Sequence, residues 1–129
     1  MFKKMRWGLV VIMMAASGIF STTHAAGDMG KSFDAASSGD FKQAIMIWED
    51  LAANGDAQAQ FNLGLMYHGG LGLPRDESTA VKLYQQAAEA GYAAAQVYLV
   101  VGYEEGWFGL PQDSNKAYYW RGMVGNELK

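Results

Sequence analysis

The chain contains no cysteine. That absence excludes disulfides, thiolate metal sites, cysteine nucleophiles and a lipid carried on an N-terminal cysteine, so packing alone must hold the fold. Proline is scarce as well. Pro74 and Pro111 are the only two, each following a leucine, and elsewhere nothing of that kind interrupts a helix. No segment alternates apolar and polar residues with a period of two, so no strand is predicted. No acidic residue precedes Asp28, and no run of basic residues follows Arg6.

The stretch before Asp28 has a definite shape. Lys3, Lys4 and Arg6 stand before an apolar run from Trp7 to Phe20, and Thr23-His24-Ala25 follows. A basic start, a short apolar core and small residues at −3 and −1 are the three parts of a secretory signal peptide, with cleavage expected after Ala25. The competing reading, a retained anchor, needs an apolar segment of about 20 residues, longer than this run. Export to the periplasm or beyond is therefore the expectation, with residues 1–25 as signal and 26–129 as the mature domain. Removing three basic residues from ten leaves 7 against 13 acidic ones, a net charge near −6. Such a surface does not suit nucleic acid or anionic lipid, which attract clustered Lys and Arg.

What the mature part holds is a repeat. Gly55-Asp56-Ala57-Gln58-Ala59-Gln60 returns as Gly91-Tyr92-Ala93-Ala94-Ala95-Gln96, and Leu63 and Tyr67 return as Leu99 and Tyr103, all 36 residues later. Beyond the next loop the offset is 37: Leu73-Pro74, Asp76 and Ala80 become Leu110-Pro111, Asp113 and Ala117. A half copy lies upstream, where Ala44, Trp48, Ala52 and Gly55 precede Ala80, Tyr84, Ala88 and Gly91 by 36. Ordered matches of this kind signal a stacked repeat architecture. Ala80, Leu83, Tyr84, Ala87 and Ala88 draw one apolar stripe at helical spacing, and Phe41, Ala44, Ile45, Trp48, Leu51 and Ala52 draw another. Asp40, Asp76 and Asp113 are placed to cap helix starts, and Gly55 and Gly91 to end helices. A helix from about Met29 to Ser37 completes the leading pair. The expected units are 26–54, 55–90 and 91–126.

The string from Ala59 through Tyr67, then Gly70-Leu71-Gly72-Leu73-Pro74-Arg75-Asp76, then Ala80, Leu83-Tyr84 and Ala87-Ala88, resembles a Sel-one-like repeat, a relative of the tetratricopeptide repeat. The resemblance implies an all-α fold, a short right-handed α/α superhelix of about three antiparallel helix pairs. It also implies a scaffold or adaptor that binds other proteins. The second unit departs from the pattern: Val100 is the counterpart of Gly64, where glycine allows close helix approach, and Arg121 replaces the aromatic expected as the counterpart of Tyr84. Gly122 and Gly125 each weaken the last helix by about 1 kcal/mol relative to alanine, and that helix is expected to be the loosest.

Little here looks catalytic. His68 is the one histidine after the cleavage point and has no His, Asp or Glu at i+3 or i+4 to begin a metal site. The serines fall in predicted turns or helix starts, away from any triad geometry. Adjacent acids such as Glu104-Glu105 diverge by about 100° on a helix and do not converge on a substrate. Gly69-Gly70-Leu71-Gly72 lacks the Gly-Lys-Ser/Thr that completes a phosphate loop. The expectation is no enzyme, no metal and no cofactor.

A surface remains. If the first helix of each pair lines a concave groove, Gln58, Phe61, Leu65 and His68 face it, with Ala94, Val97, Val101 and Glu104 as counterparts. Phe61, Leu65, Val97 and Val101 then form an apolar strip for a partner peptide; the competing reading, in line with helical stripes being more often core than site, is that they pack one first helix on the next. Trp107 and Phe108, in the lengthened loop, are candidates for contact or for covering a helix end. The expected partner is another envelope protein or peptide. The alternative is a polysaccharide or peptidoglycan, to which Tyr98, Tyr103, Trp107, Tyr118, Tyr119 and Trp120 would offer aromatic faces. Self-association stays open.

Overall fold

The computed structural model describes residues 26–126, so the expected signal segment lies outside the described residues. Helix α1 spans 26–37 and is followed by α2 (Phe41–Ala53), α3 (Ala57–Gly69), α4 (Glu77–Glu89), α5 (Ala93–Glu105) and α6 (Ser114–Asn126). There is no strand among the described residues. Helices α2 to α6 have 13 residues each, about 20 Å of helix at 1.5 Å per residue. Each packs mainly on its neighbours in sequence, as expected of a stacked repeat. The result is an all-α repeat solenoid.

Local chemistry sets the boundaries. Carboxylates of Asp40, Asp56 and Asp76 accept from the backbone N–H of Gln43, Ala59 and Thr79 at 3.1, 2.8 and 3.0 Å. Asp113 accepts from Asn115 and Lys116 at 3.0 and 3.1 Å. Each bond satisfies an amide that a helix start leaves without a partner. At Tyr92 the side-chain cap is missing, and its ring packs instead on Phe61, centroids 5.3 Å apart. Gly55 and Gly91 carry φ of +87° and +90°, left-handed values that end α2 and α4 at no Cβ cost.

Two further bonds repeat with the sequence. Gln60 Nε2 donates to the Ala52 carbonyl at 3.4 Å, and Gln96 Nε2 to the Ala88 carbonyl at 3.1 Å. Each glutamine thus ties its helix to the C-terminal end of the preceding one, where carbonyls lack helical partners. Asp76 N–H donates to Tyr67 O at 2.9 Å and Asp113 N–H to Tyr103 O at 2.8 Å, which pins both loops at the same place.

Helix α1 begins three residues earlier than Met29, at 26. Gly27 and Gly30 lower its intrinsic propensity, but tertiary packing outweighs that. Ser32 and Ala35 are buried, and Phe33 meets Trp48 edge-on at 6.1 Å. Helix α6 runs unbroken through Gly122 and Gly125 to Asn126, anchored by buried Ala117 and Trp120.

The core has two parts. One gathers Ala44, Ile45, Trp48, Ala59, Leu63 and Met66 around α2 and α3. The other gathers Phe61, Tyr84, Ala87, Ala88, Leu99 and Trp120 around α4, α5 and α6. Leu65 and Tyr67 touch both, so α3 is the slab on which the two parts meet.

Candidate functional site

The strip expected along the first helices does not form as drawn. Phe61 is a core residue, 8% exposed, with the rings of Tyr84, Tyr92 and Tyr98 at 5.5, 5.3 and 5.3 Å. The reason is that α3 is covered on two sides: Ala59, Leu63 and Met66 face α2, while Phe61 faces α4 and α5. Gln58, Leu65, His68 and Val101 are half-buried, Val97 is exposed and Glu104 is half-buried. The carboxylate of Glu104 pairs with the Arg121 guanidinium.

What the structure brings together instead is a row of rings. His68 at the end of α3 lies 4.9 Å from Phe108 edge-on and 6.3 Å from Tyr84. Phe108 stacks on Tyr98 at 5.0 Å with 19° between planes. Trp107 stands beyond it, 54% exposed and edge-on to Phe108. Phe108 is the residue by which the second loop exceeds the first, and its φ of +60° is positive. A bulky residue in that region costs about 1–3 kcal/mol and persists where surroundings hold it. Here the Tyr98 stack and the His68 edge hold it, and the turn they enforce sets Trp107 outward. The doubled role of Trp107 and Phe108 thus resolves into one exposed ring and one packed ring.

Close approach explains the glycine at 64. A Cβ there would lie 2.7 Å from the Tyr84 ring. Tyr84 cannot yield, being 1% exposed between Phe61 and Tyr98. Burial, with Tyr98 as the lesser cause, pushes its phenol well above the usual tyrosine range. Its hydroxyl and the Nδ1 of His68 are buried with no hydrogen-bond partner among the described residues. Gly102 plays a role that the sequence reading missed: a Cβ there would meet Leu110 at 2.7 Å, so this glycine seats the second loop against α5. The signal for it was Leu110 itself, which matches Leu73.

Among the described residues, openings border these elements. One of about 450 Å³ lies between α4 and the second loop, lined by Val81, Lys82, Gln85 and Phe108 among others. Another, of about 710 Å³, is lined by Tyr67, Pro74, Arg75, Asp76 and Glu77, where Arg75 and Glu77 already pair. A third, of about 310 Å³, is lined by Val97, Val100, Arg121, Val124 and Gly125. Among the described residues no cluster of three or more His, Asp or Glu could hold a metal ion, and no helix is long and apolar enough to cross a membrane.

Comparison with known proteins agrees with this geometry. The Sel1 repeat pattern matches residues 57–92 and 93–120. A Sel1 repeat protein from Oxalobacter formigenes superposes with a TM-score of 0.60 at 33% identity, over 66% of this chain and 64% of that one. A protective antigen of uropathogenic Escherichia coli with an SLR fold superposes at 0.68 with 25% identity, over 80% of this chain and 23% of that one. Among curated proteins, the rat and mouse DAP3-binding cell death enhancer 1 are 42% and 44% identical over 57 residues. The match spans 44% of this chain and 11% of each of those relatives. Sel1 repeats are protein–protein interaction modules. By repeat pattern and by fold, the chain carries Sel1 repeats and has the helical repeat fold of Sel1-repeat proteins.

Proposed function

We propose that this chain is an exported adaptor of the bacterial cell envelope, which binds a partner protein and catalyses no reaction. The observation that carries the reading is the second repeat: a protein-interaction fold that sets Trp107 outward on a strained, ring-braced loop. Exposed aromatics on rigid supports are the residues that anchor interfaces, because they bury much area at little entropic cost. Val97 and Trp107 are the contact candidates that combine apolar character with exposure, and Val101, Leu65 and Gln58 are half-buried. The N-terminal pattern of Lys3, Lys4, Arg6 and Thr23-His24-Ala25 supports export.

The test is site-specific photo-crosslinking in cells from Trp107, Val101 and Gln58, with mass spectrometry of the adducts. One dominant envelope protein captured from Trp107 or Val101 supports the reading. Adducts spread over unrelated proteins, or none, count against it. Tyr118 and Tyr119, 78% and 59% exposed on α6, favour a second reading in which the partner is a glycan. Retention on peptidoglycan or polysaccharide that Tyr118→Ala and Tyr119→Ala abolish would select that reading.

A further inference from the structure

The internal repeat allows two equivalent seams to be compared position by position. At the first seam, Phe61, Tyr84, Ala87 and Ala88 are 8%, 1%, 0% and 0% exposed, because α5 lies over them. Their counterparts at offsets of 36 and 37 are Val97, Arg121, Val124 and Gly125. These four, with Val100, line the open slot of about 310 Å³ on α5 and α6. Val97 is 46% exposed and the Arg121 side chain 62%. No described residue covers the slot.

The first seam shows what a cover does. Helix α5 sets Tyr98 on both Phe61 and Tyr84, at 5.3 and 5.1 Å, and buries Ala95 and Leu99 beside them. The open seam keeps that shape but changes its chemistry at two coupled positions. Val100 fills the space that Gly64 leaves for a ring, and the ring itself is replaced by Arg121. A further unit of the same kind would need the ring. Arg121 reaches Glu104 through one terminal nitrogen, and a guanidinium has five N–H donors, enough for a second carboxylate.

We infer that this slot on α5 and α6 receives one amphipathic helix of a partner protein, with an aliphatic ridge on Val97, Val100 and Val124 and a carboxylate on Arg121. The inference rests on the reading of the chain as a protein-binding module. A second copy fits less well. The outer face of α1 presents exposed Gly27, Gly30, Lys31 and Asp34, and Phe33 is the one large apolar side chain exposed on that helix, a single ring rather than an aliphatic ridge to continue the stack. A two-fold pairing through the slot would set one Arg121 against the other.

The probe is a stapled, fluorescent peptide of residues 92–105, the helix that covers the first seam, carrying Tyr98→Glu to meet Arg121. Anisotropy against the full chain should show saturable binding at micromolar peptide. Val97→Glu should weaken it by about tenfold or more, since it buries an unpaired charge beside the ridge. Arg121→Glu should weaken it comparably, and a peptide with Tyr98→Lys should recover the loss. Both positions are exposed, and circular dichroism checks that each variant keeps its helicity. Binding that never saturates, or that both variants leave unchanged, overturns the slot. So does a dimer in sedimentation that Val97→Glu dissociates, which assigns the face to a second copy. If the peptide fails while crosslinks from Trp107 persist, the slot falls and the adaptor reading stands; if both fail, both fall.

Discussion

Tyr84 shows how much a single ring can carry in this fold. It meets Phe61, Tyr98 and His68 and fills the space above Gly64. Replacing Tyr84 or Trp48 by alanine should cost roughly 3–5 kcal/mol, the range for a large buried aromatic, and a small domain loses most of its stability at that cost. Urea unfolding measures it, and a loss below about 1 kcal/mol would show that the ring is not a keystone. Tyr84→Phe should change stability by less than about 1 kcal/mol, because the hydroxyl it removes has no hydrogen-bond partner among the described residues. The same substitution tests a pH effect. An unfolded tyrosine ionises near pH 10 or so, whereas burial raises the folded value. Stability is then full below that unfolded value and falls as pH rises past it. Melting temperatures between neutral and strongly alkaline pH should drop more steeply for the parent chain than for Tyr84→Phe. Gly64→Ala should cost about 1–3 kcal/mol by overpacking against the fixed ring.

The elements differ in how they begin. Helices α2, α3 and α4 start on an aspartate cap, and α5 starts on a tyrosine that packs rather than caps. Asp56→Ala should therefore cost about 1 kcal/mol, while Tyr92→Ala should cost more because it opens the Phe61 cluster. Thermal melts of the two variants rank them directly, and equal losses would place Tyr92 outside the core. The Asp76 carboxyl is held below the usual range first by the Thr79 backbone N–H and then by its hydroxyl, so this cap weakens only as pH falls through that lowered value. At the N-terminus the expectation is processing. Intact-mass measurement of protein from cells should give a chain that begins at Ala26, and a membrane-bound species that keeps Met1 would favour an anchor.

At the scale of the whole stack, burial on two sides of α3 separates two kinds of apolar residue. Phe61→Glu should unfold the chain, since it drives a charge among three rings. Val101→Glu should leave helicity intact, because a half-buried side chain can bring its charge to water. Circular dichroism on the pair distinguishes them. Equal helicity in both would return Phe61 to the surface. Loss of partner crosslinks in a folded Val101→Glu would place the contact on the second repeat.

Much of this architecture is local and so could be read along the chain. Caps at Asp40, Asp76 and Asp113, the glycines at 55 and 91, and the offsets of 36 and 37 depend on backbone chemistry and spacing within a turn or a repeat. The approach that Gly64 permits was legible only through the resemblance to the repeat pattern, in which a glycine at that position lets helices come close. The face of Phe61 was not. A helix sandwiched between neighbours is apolar nearly all round, as α3 is with Ala59, Phe61, Leu63, Gly64 and Met66 all buried, and periodicity cannot then say which side is groove and which is core. Nor could spacing show that Phe108 would turn inward and Trp107 outward, since that depends on Tyr98 and His68 arriving from two other helices. Whether a residue of the repeat lies covered or open depends on whether a neighbouring helix reaches it, and stacking, not sequence position, decides that.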